Sequence, residues 1–118
     1  MKIVINNHRA VSWNKIYSAG HWHTRQKLAK KIHKLVKFTA FQQAKGKPEF
    51  KNRVDISIVG YYKDKRRHDS DNIAHKCYID GLKRMVVEDD DTRYIRKVTT
   101  EARIGQKEDK LIIRIKEI

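Results

Sequence analysis

Two aspartates one residue apart, Asp69 and Asp71, stand in the stretch Arg67-His68-Asp69-Ser70-Asp71-Asn72. When the chain between them is extended, side chains at i and i+2 point the same way, so both carboxylates can face one ion. Oxygen donors of this kind suit a hard divalent cation such as Mg²⁺, which keeps several waters of its own. A third acid is available from Glu88 to Asp91, provided that this loop folds back towards the first two. Downstream, Asn72, Lys76 and Asp80 are spaced at i, i+4 and i+8, which on a helix is a single stripe. There Lys76 can pair with Asp80, or it can reach a phosphate and offset negative charge developing on it. Each feature also has an ordinary reading. Asp71 can be a helix N-cap, and Lys76–Asp80 can be an exposed ion pair worth less than about 1 kcal/mol.

The charge pattern bears on both readings. The chain has 118 residues and a formal net charge of +14. Residues 1–68 hold 17 Lys and Arg against three acids, whereas residues 69–118 hold 11 of each. The basic part reads as the footprint of a polyanion, since each cation that neutralises a phosphate releases a counterion. Lys27, Lys30, Lys31, Lys34, Lys65, Arg66 and Arg67 are the candidate backbone-contacting cations. Asp69, Asp71, Asp80 and Glu88 to Asp91 put seven acids within 23 residues, opposed there only by Lys76, Lys83 and Arg84. Such an island repels a polyanion unless a divalent metal neutralises it. Solvated surface accounts for the same acids at about even weight.

Several classes are excluded or disfavoured. No run approaches the ~20 apolar residues of a membrane span, and the N-terminal apolar segment is too short for a secretory signal. One cysteine allows no internal disulfide. The expectation is a small, soluble, cytoplasmic protein. His21, His23, His68, His75 and Cys77 lack the paired spacing of a zinc site, and Cys77 reads as a small buried hydrophobe. Glu108-x-Lys110 falls in a predicted turn. No glycine-rich phosphate loop is present, so no nucleotide cofactor is expected.

The elements that must position these residues follow from periodicity. Residues 2–6 read as a strand, and 7–22 as an irregular arm whose Trp13, Tyr17 and Trp22 are expected to pack. Leu28, Ile32, Leu35, Val36 and Thr39 recur at helical spacing, which predicts a helix over 23–43 with Thr24 able to cap it. Residues 44–50 hold the only proline and read as a turn. Alternation predicts a strand over 54–62, followed by a basic loop at 63–68. Ala74, Tyr78, Leu82 and Met85 predict a helix over 71–86, before an acidic loop at 87–93. Alternation from Val98 to Ile104 and from Leu111 to Ile115 predicts two strands joined as a hairpin. The chain is expected to be one domain over 1–118, of α/β (α+β) class and order β-α-β-α-β-β. Two main helices would cover one face of a small mixed four-stranded sheet.

The stretch RRHDSDNIAHKCYIDGLKRMVVEDDD resembles the signature of RusA-type Holliday junction resolvases. The matching features are the D-x-D-N motif Asp69, Asp71 and Asn72 after a strand, Lys76 in the following helix, Asp80-Gly81-Leu82, and the pair Asp89-Asp90. Ser12, Asn14, Tyr17, His21-Trp22 and Arg25 are similar to the N-terminal arm of phage-type members. The resemblance implies a Mg²⁺-dependent endonuclease, with Mn²⁺ substituting, that acts as a homodimer and nicks four-way DNA junctions symmetrically. It implies Asp69, Asp71 and one of Asp89, Asp90 and Asp91 as metal-binding catalytic acids, with Asp90 favoured, and Lys76 as the catalytic lysine. Asn14 and Tyr17 join the candidate DNA contacts, and a phage or prophage origin is expected.

Overall fold

Stretches in which Ile, Val and Leu alternate with polar residues form a four-stranded mixed sheet in the computed structural model, which describes residues 1–18, 20–43 and 50–118. The strands are β1 (Lys2–Asn6), β2 (Val54–Tyr61), β3 (Ile95–Arg103) and β4 (Lys110–Glu117), and the helices are α1 (Trp13–Ser18), α2 (Trp22–Gln43) and α3 (His75–Leu82). A single 3-10 turn, Ser70–Asn72, lies between β2 and α3. The expected α+β class and element order hold, with α1 added. Among the described residues no helix is long and apolar enough to cross a membrane. The turn expected over 44–50 falls almost entirely outside the described residues.

The sheet order is β1-β4-β2-β3, with β2 antiparallel to β4 and parallel to β3. This corrects the expected hairpin, because β3 and β4 are consecutive but not neighbours. β2 lies between them, and its composition is the reason. Val54, Ile56 and Ile58 belong to the main core, while Val59 and Tyr61 belong to a small cluster with Ile112 and Val4. A strand apolar on both faces loses most water when it is central. The link from β3 to β4 therefore crosses the end of β2, where Gly105 N donates to Asp64 O (2.8 Å) and Gln106 N to Tyr62 O (3.0 Å). Gly105 makes that crossing at φ 64°, a conformation that costs glycine little.

α2 covers one face of the sheet, burying Ile32, Val36, Thr39 and Ala40. It begins at Trp22, so Thr24 lies inside its first turn instead of capping it. The arm also departs from expectation. Trp13 packs against the core and Tyr17 stacks on it, ring centroids 5.9 Å apart, but Tyr17 and Trp22 are exposed instead of packed.

The helix expected over 71–86 is shorter and broken. Ile73 is extended (φ −74°, ψ 127°) and almost wholly buried, and it bridges to Ser12 of the arm. Turning that side chain into the core breaks the helical path after Asn72, so α3 starts at His75. Ala74, not Asp71, holds the N-cap position, and Asn72 falls off the Lys76–Asp80 stripe. At the other end Lys83 is extended and Arg84 sits at φ 62°, which lets Val86 and Val87 turn inward.

α3 binds the arm to the core through the buried Tyr78. Its hydroxyl accepts from Val11 N (2.9 Å) and lies 2.7 Å from His8 Nε2. α3 meets α2 at Gly81, where an added Cβ would fall 2.7 Å from Val36 Cβ and 3.2 Å from the His33 carbonyl. Alanine in an open helix would stabilise by about 1 kcal/mol. Gly81→Ala is instead expected to destabilise by about 1–3 kcal/mol, because neither contact is the far end of a flexible chain. Urea unfolding of the two proteins checks this, and a stabilised variant contradicts the close packing.

Candidate active site

β2 delivers the chain to a loop that one carboxylate organises. Asp64 accepts from Arg9 Nη1 (2.6 Å) and Arg66 N (2.9 Å), and its Oδ1 lies 2.9 Å from His68 Nε2. Arg9 first, and then His68, hold its carboxyl far below the usual carboxylate range. The His68 ring stacks on Tyr62 at 3.8 Å and 9°. Asp69 therefore follows a clamped segment. Ser70, between the two aspartates, accepts from Ala102 N through Oγ (2.9 Å), which pins the motif to the edge of β3. Asn72 N donates to Asp69 O (3.1 Å) and closes the turn.

The Asp69 and Asp71 side chains are exposed, and among the described residues no cation or hydrogen-bond donor engages either carboxylate. That is notable in a chain with 28 Lys and Arg. Other acids of the island are paired. Lys76, in the first turn of α3, donates to Asp80 and to Asp90, both at 2.9 Å. Lys83 reaches the same two carboxylates at 3.3 and 3.2 Å. The acidic loop thus folds back along α3. Lys76 first, and then Lys83, hold Asp90 down to about 2, and Asp90 in turn raises the Lys76 ammonium. Asp91 is engaged by Arg93 (2.8 Å), and Asp89 accepts from Asp90 N (2.8 Å). Of the three consecutive aspartates, Asp90 is the one that meets Lys76.

Two clusters result: the unpartnered pair Asp69 and Asp71, and the ion-paired group Lys76, Asp80, Lys83 and Asp90. Among the described residues no three His, Cys, Asp or Glu are grouped to hold a metal ion. Mg²⁺ is commonly held by one or two carboxylates, with waters and substrate phosphates completing its shell. The extended spacing expected between Asp69 and Asp71 is not kept, because Asp71 lies in the 3-10 turn Ser70–Asn72; their oxygen-donor chemistry still fits that pattern, while Asp90 is occupied by two lysines.

Asp69 also forms part of the wall of a cavity of about 320 Å³, between the arm at Arg9 to Lys15 and the turn at Tyr62, Arg67, His68 and Asn72. Asn14 lines this cavity, whereas Tyr17 lies outside it on α1. Lys27, Lys30, Lys31 and Lys34 are exposed on α2, as are Lys65, Arg66 and Arg67 on the loop. Lys27 and Lys31 line a shallow groove with Lys15 of α1. Burial pushes the Cys77 thiol up, in keeping with a small core residue.

Periodicity and motif spacing pass over Arg9 and Asp64. Lys83 carried a signal as one of three cations inside the acidic island, and Tyr78 as a core-facing position of the predicted helix, without the hydrogen bonds of its hydroxyl. The Arg9–Asp64 bond spans 55 residues.

Because Asp90 has a lowered pKa in the folded protein, its contribution to stability is complete above the ordinary carboxylate range near 4. It is lost as pH falls through about 2. Asp90→Asn is therefore expected to flatten the fall of urea stability between pH 4 and 2. An unchanged pH slope would show that the two lysines do not stabilise this carboxylate.

Residues 4–116 match the family model described as Endodeoxyribonuclease RusA. No curated protein matches the sequence.

Proposed function

The chain belongs to the RusA endodeoxyribonuclease family, and from that premise we propose that it resolves four-way DNA junctions by paired, symmetric, Mg²⁺-dependent nicks. The observation that carries this reading is the unpartnered Asp69–Asp71 pair on the turn that Ser70 fastens to β3, just before the helix that bears Lys76. Asp69 and Asp71 would hold Mg²⁺, or Mn²⁺ in its place, with Asp90 as the candidate third acid. When bound, the ion supplies an activated water and a clamp on the scissile phosphate.

The chain's own residues have separable parts in this reaction. Ser70 holds the turn that bears both carboxylates against β3. Asp80 and Asp90 keep Lys76 protonated and aimed, as its raised pKa reflects. A fixed ammonium of that kind favours the charge that develops on the phosphate or on the leaving oxygen. Lys27, Lys30, Lys31 and Lys34 of α2 and Lys65, Arg66 and Arg67 of the loop follow the phosphate backbone of the arms. Their contribution falls with salt, because it comes from counterion release. A homodimer presents two such sites, and its two-fold axis matches the symmetry of a four-way junction.

The test is cleavage of a synthetic four-way junction in Mg²⁺, beside linear duplex and flap controls. Wild type is expected to place paired nicks on the junction alone. Asp71→Asn is expected to keep junction binding and lose cleavage. Lys76→Ala is expected to slow cleavage by about 10²–10³, the range for removing one preorganised charge-stabilising group. Preferential cutting of flaps or forks would reassign the substrate to other branched DNA. Tight binding without a nick, across metals and junction sequences, would leave a non-catalytic nucleic-acid-binding protein.

A further inference from the structure

The cavity beside Asp69 is not used by the chemistry described so far. At about 320 Å³ it is at the lower end of small-molecule sites, with room for one nucleotide and none for a duplex. Its walls are preformed. On one side Asp64 clamps Arg9 and His68, and His68 stacks on Tyr62. On the other, the arm is tied down by Ala74 N donating to Val11 O (2.8 Å) and by the Tyr78 hydroxyl on Val11 N. A site that is already shaped costs less ordering when it binds.

The lining is chemically divided. Arg9 is committed to Asp64, but among the described residues the Lys15 and Arg67 side chains have no acidic partner. They are cations available to a phosphate. The Asn14 and Asn72 side-chain amides also lack a partner among the described residues. Each amide offers a donor and an acceptor together, the combination that reads the edge of an unstacked base. Asp69 lies in the wall, so the cavity opens beside one of the two unpartnered carboxylates.

We propose that this cavity seats one unstacked deoxynucleotide of the strand to be cut, with Asn14 and Asn72 reading its base and Lys15 and Arg67 holding its phosphate. The proposal deepens the nuclease reading and rests on it for the identity of the strand. At the crossover of a branched DNA the continuous helical stack is interrupted, so a base there leaves its stack at less cost than one inside an unbroken duplex. The cavity would then set the sequence at which the protein cuts, while the lysines of α2 bind DNA of any sequence.

The test needs no cleavage. The full ¹⁵N-labelled chain is titrated, without metal, with the 5′-phosphorylated deoxydinucleotides of A, C, G and T in turn, and with inorganic phosphate. The expected result is movement of the Asn14 and Asn72 side-chain amide signals that differs among the four bases. Asn14→Ala and Asn72→Ala, each with an otherwise unchanged spectrum, should weaken the preferred dinucleotide about tenfold, as loss of a base-edge contact does. Identical responses to phosphate alone, or shifts confined to α2, would overturn the proposal. So would asparagine amides that stay silent at the highest dinucleotide concentration. The two readings fail separately. Junctions left uncut while the amides respond would remove the nuclease reading alone, and junctions cut while the amides stay silent would remove the cavity alone.

Discussion

β2 carries apolar side chains on both faces, and such a strand is buried only between two others. Most of the molecule's arrangement follows from that constraint. With β2 central, its C-terminal end opens onto a region where three separate segments meet. The arm arrives there from β1, the basic loop leaves from there, and the β3–β4 link must cross over it. Asp64 then gathers Arg9 and His68 at that crossing, and Asp69 comes out of the clamp at a defined place. The short helix α3 completes the frame, because Ile73 and Tyr78 fasten the segment after the motif to both arm and core.

On that frame the acids divide into two kinds. Asp80, Asp90 and Asp91 are satisfied by Lys76, Lys83 and Arg93, and exposed pairs of this sort contribute little stability each. Asp69 and Asp71 are left alone amid a large excess of positive charge. Carboxylates without a partner repel an approaching phosphate. The arrangement makes chemical sense if a cation joins them when DNA arrives. Lys76 and Lys83 occupy Asp90 in the meantime, so the third candidate acid is available only in exchange for its ion pairs.

Much of this was legible in the residues. Alternation located β2, β3 and β4, and helical spacing located α2 to within a residue. The D-x-D-N motif, Lys76 and the acidic loop pointed to the family that the comparison establishes. The failures share a physical origin. Period-two alternation says which face a side chain takes, not which strand lies beside it, so β3 and β4 were read as a hairpin. Ala74, Tyr78 and Leu82 fit a helix that began at Asp71, but the burial of Ile73 overrode that periodicity and moved the start to His75. The tie between Arg9 and Asp64 left no local trace at all. The cavity, one wall of which that tie holds, could not be read in advance.

The claim on which everything else turns is that Asp69 and Asp71 stand free to take a divalent ion. Titrating the ¹⁵N-labelled protein with substoichiometric Mn²⁺, and following paramagnetic broadening residue by residue, tests it directly. Broadening should begin at the amides of residues 69–72, reach Asp90 at higher occupancy, and be reversed by excess Mg²⁺. Asp71→Asn should abolish the first effect. Broadening centred on Asp89 to Asp91 while residues 69–72 stay sharp, or spread evenly over the acidic surface, would contradict it.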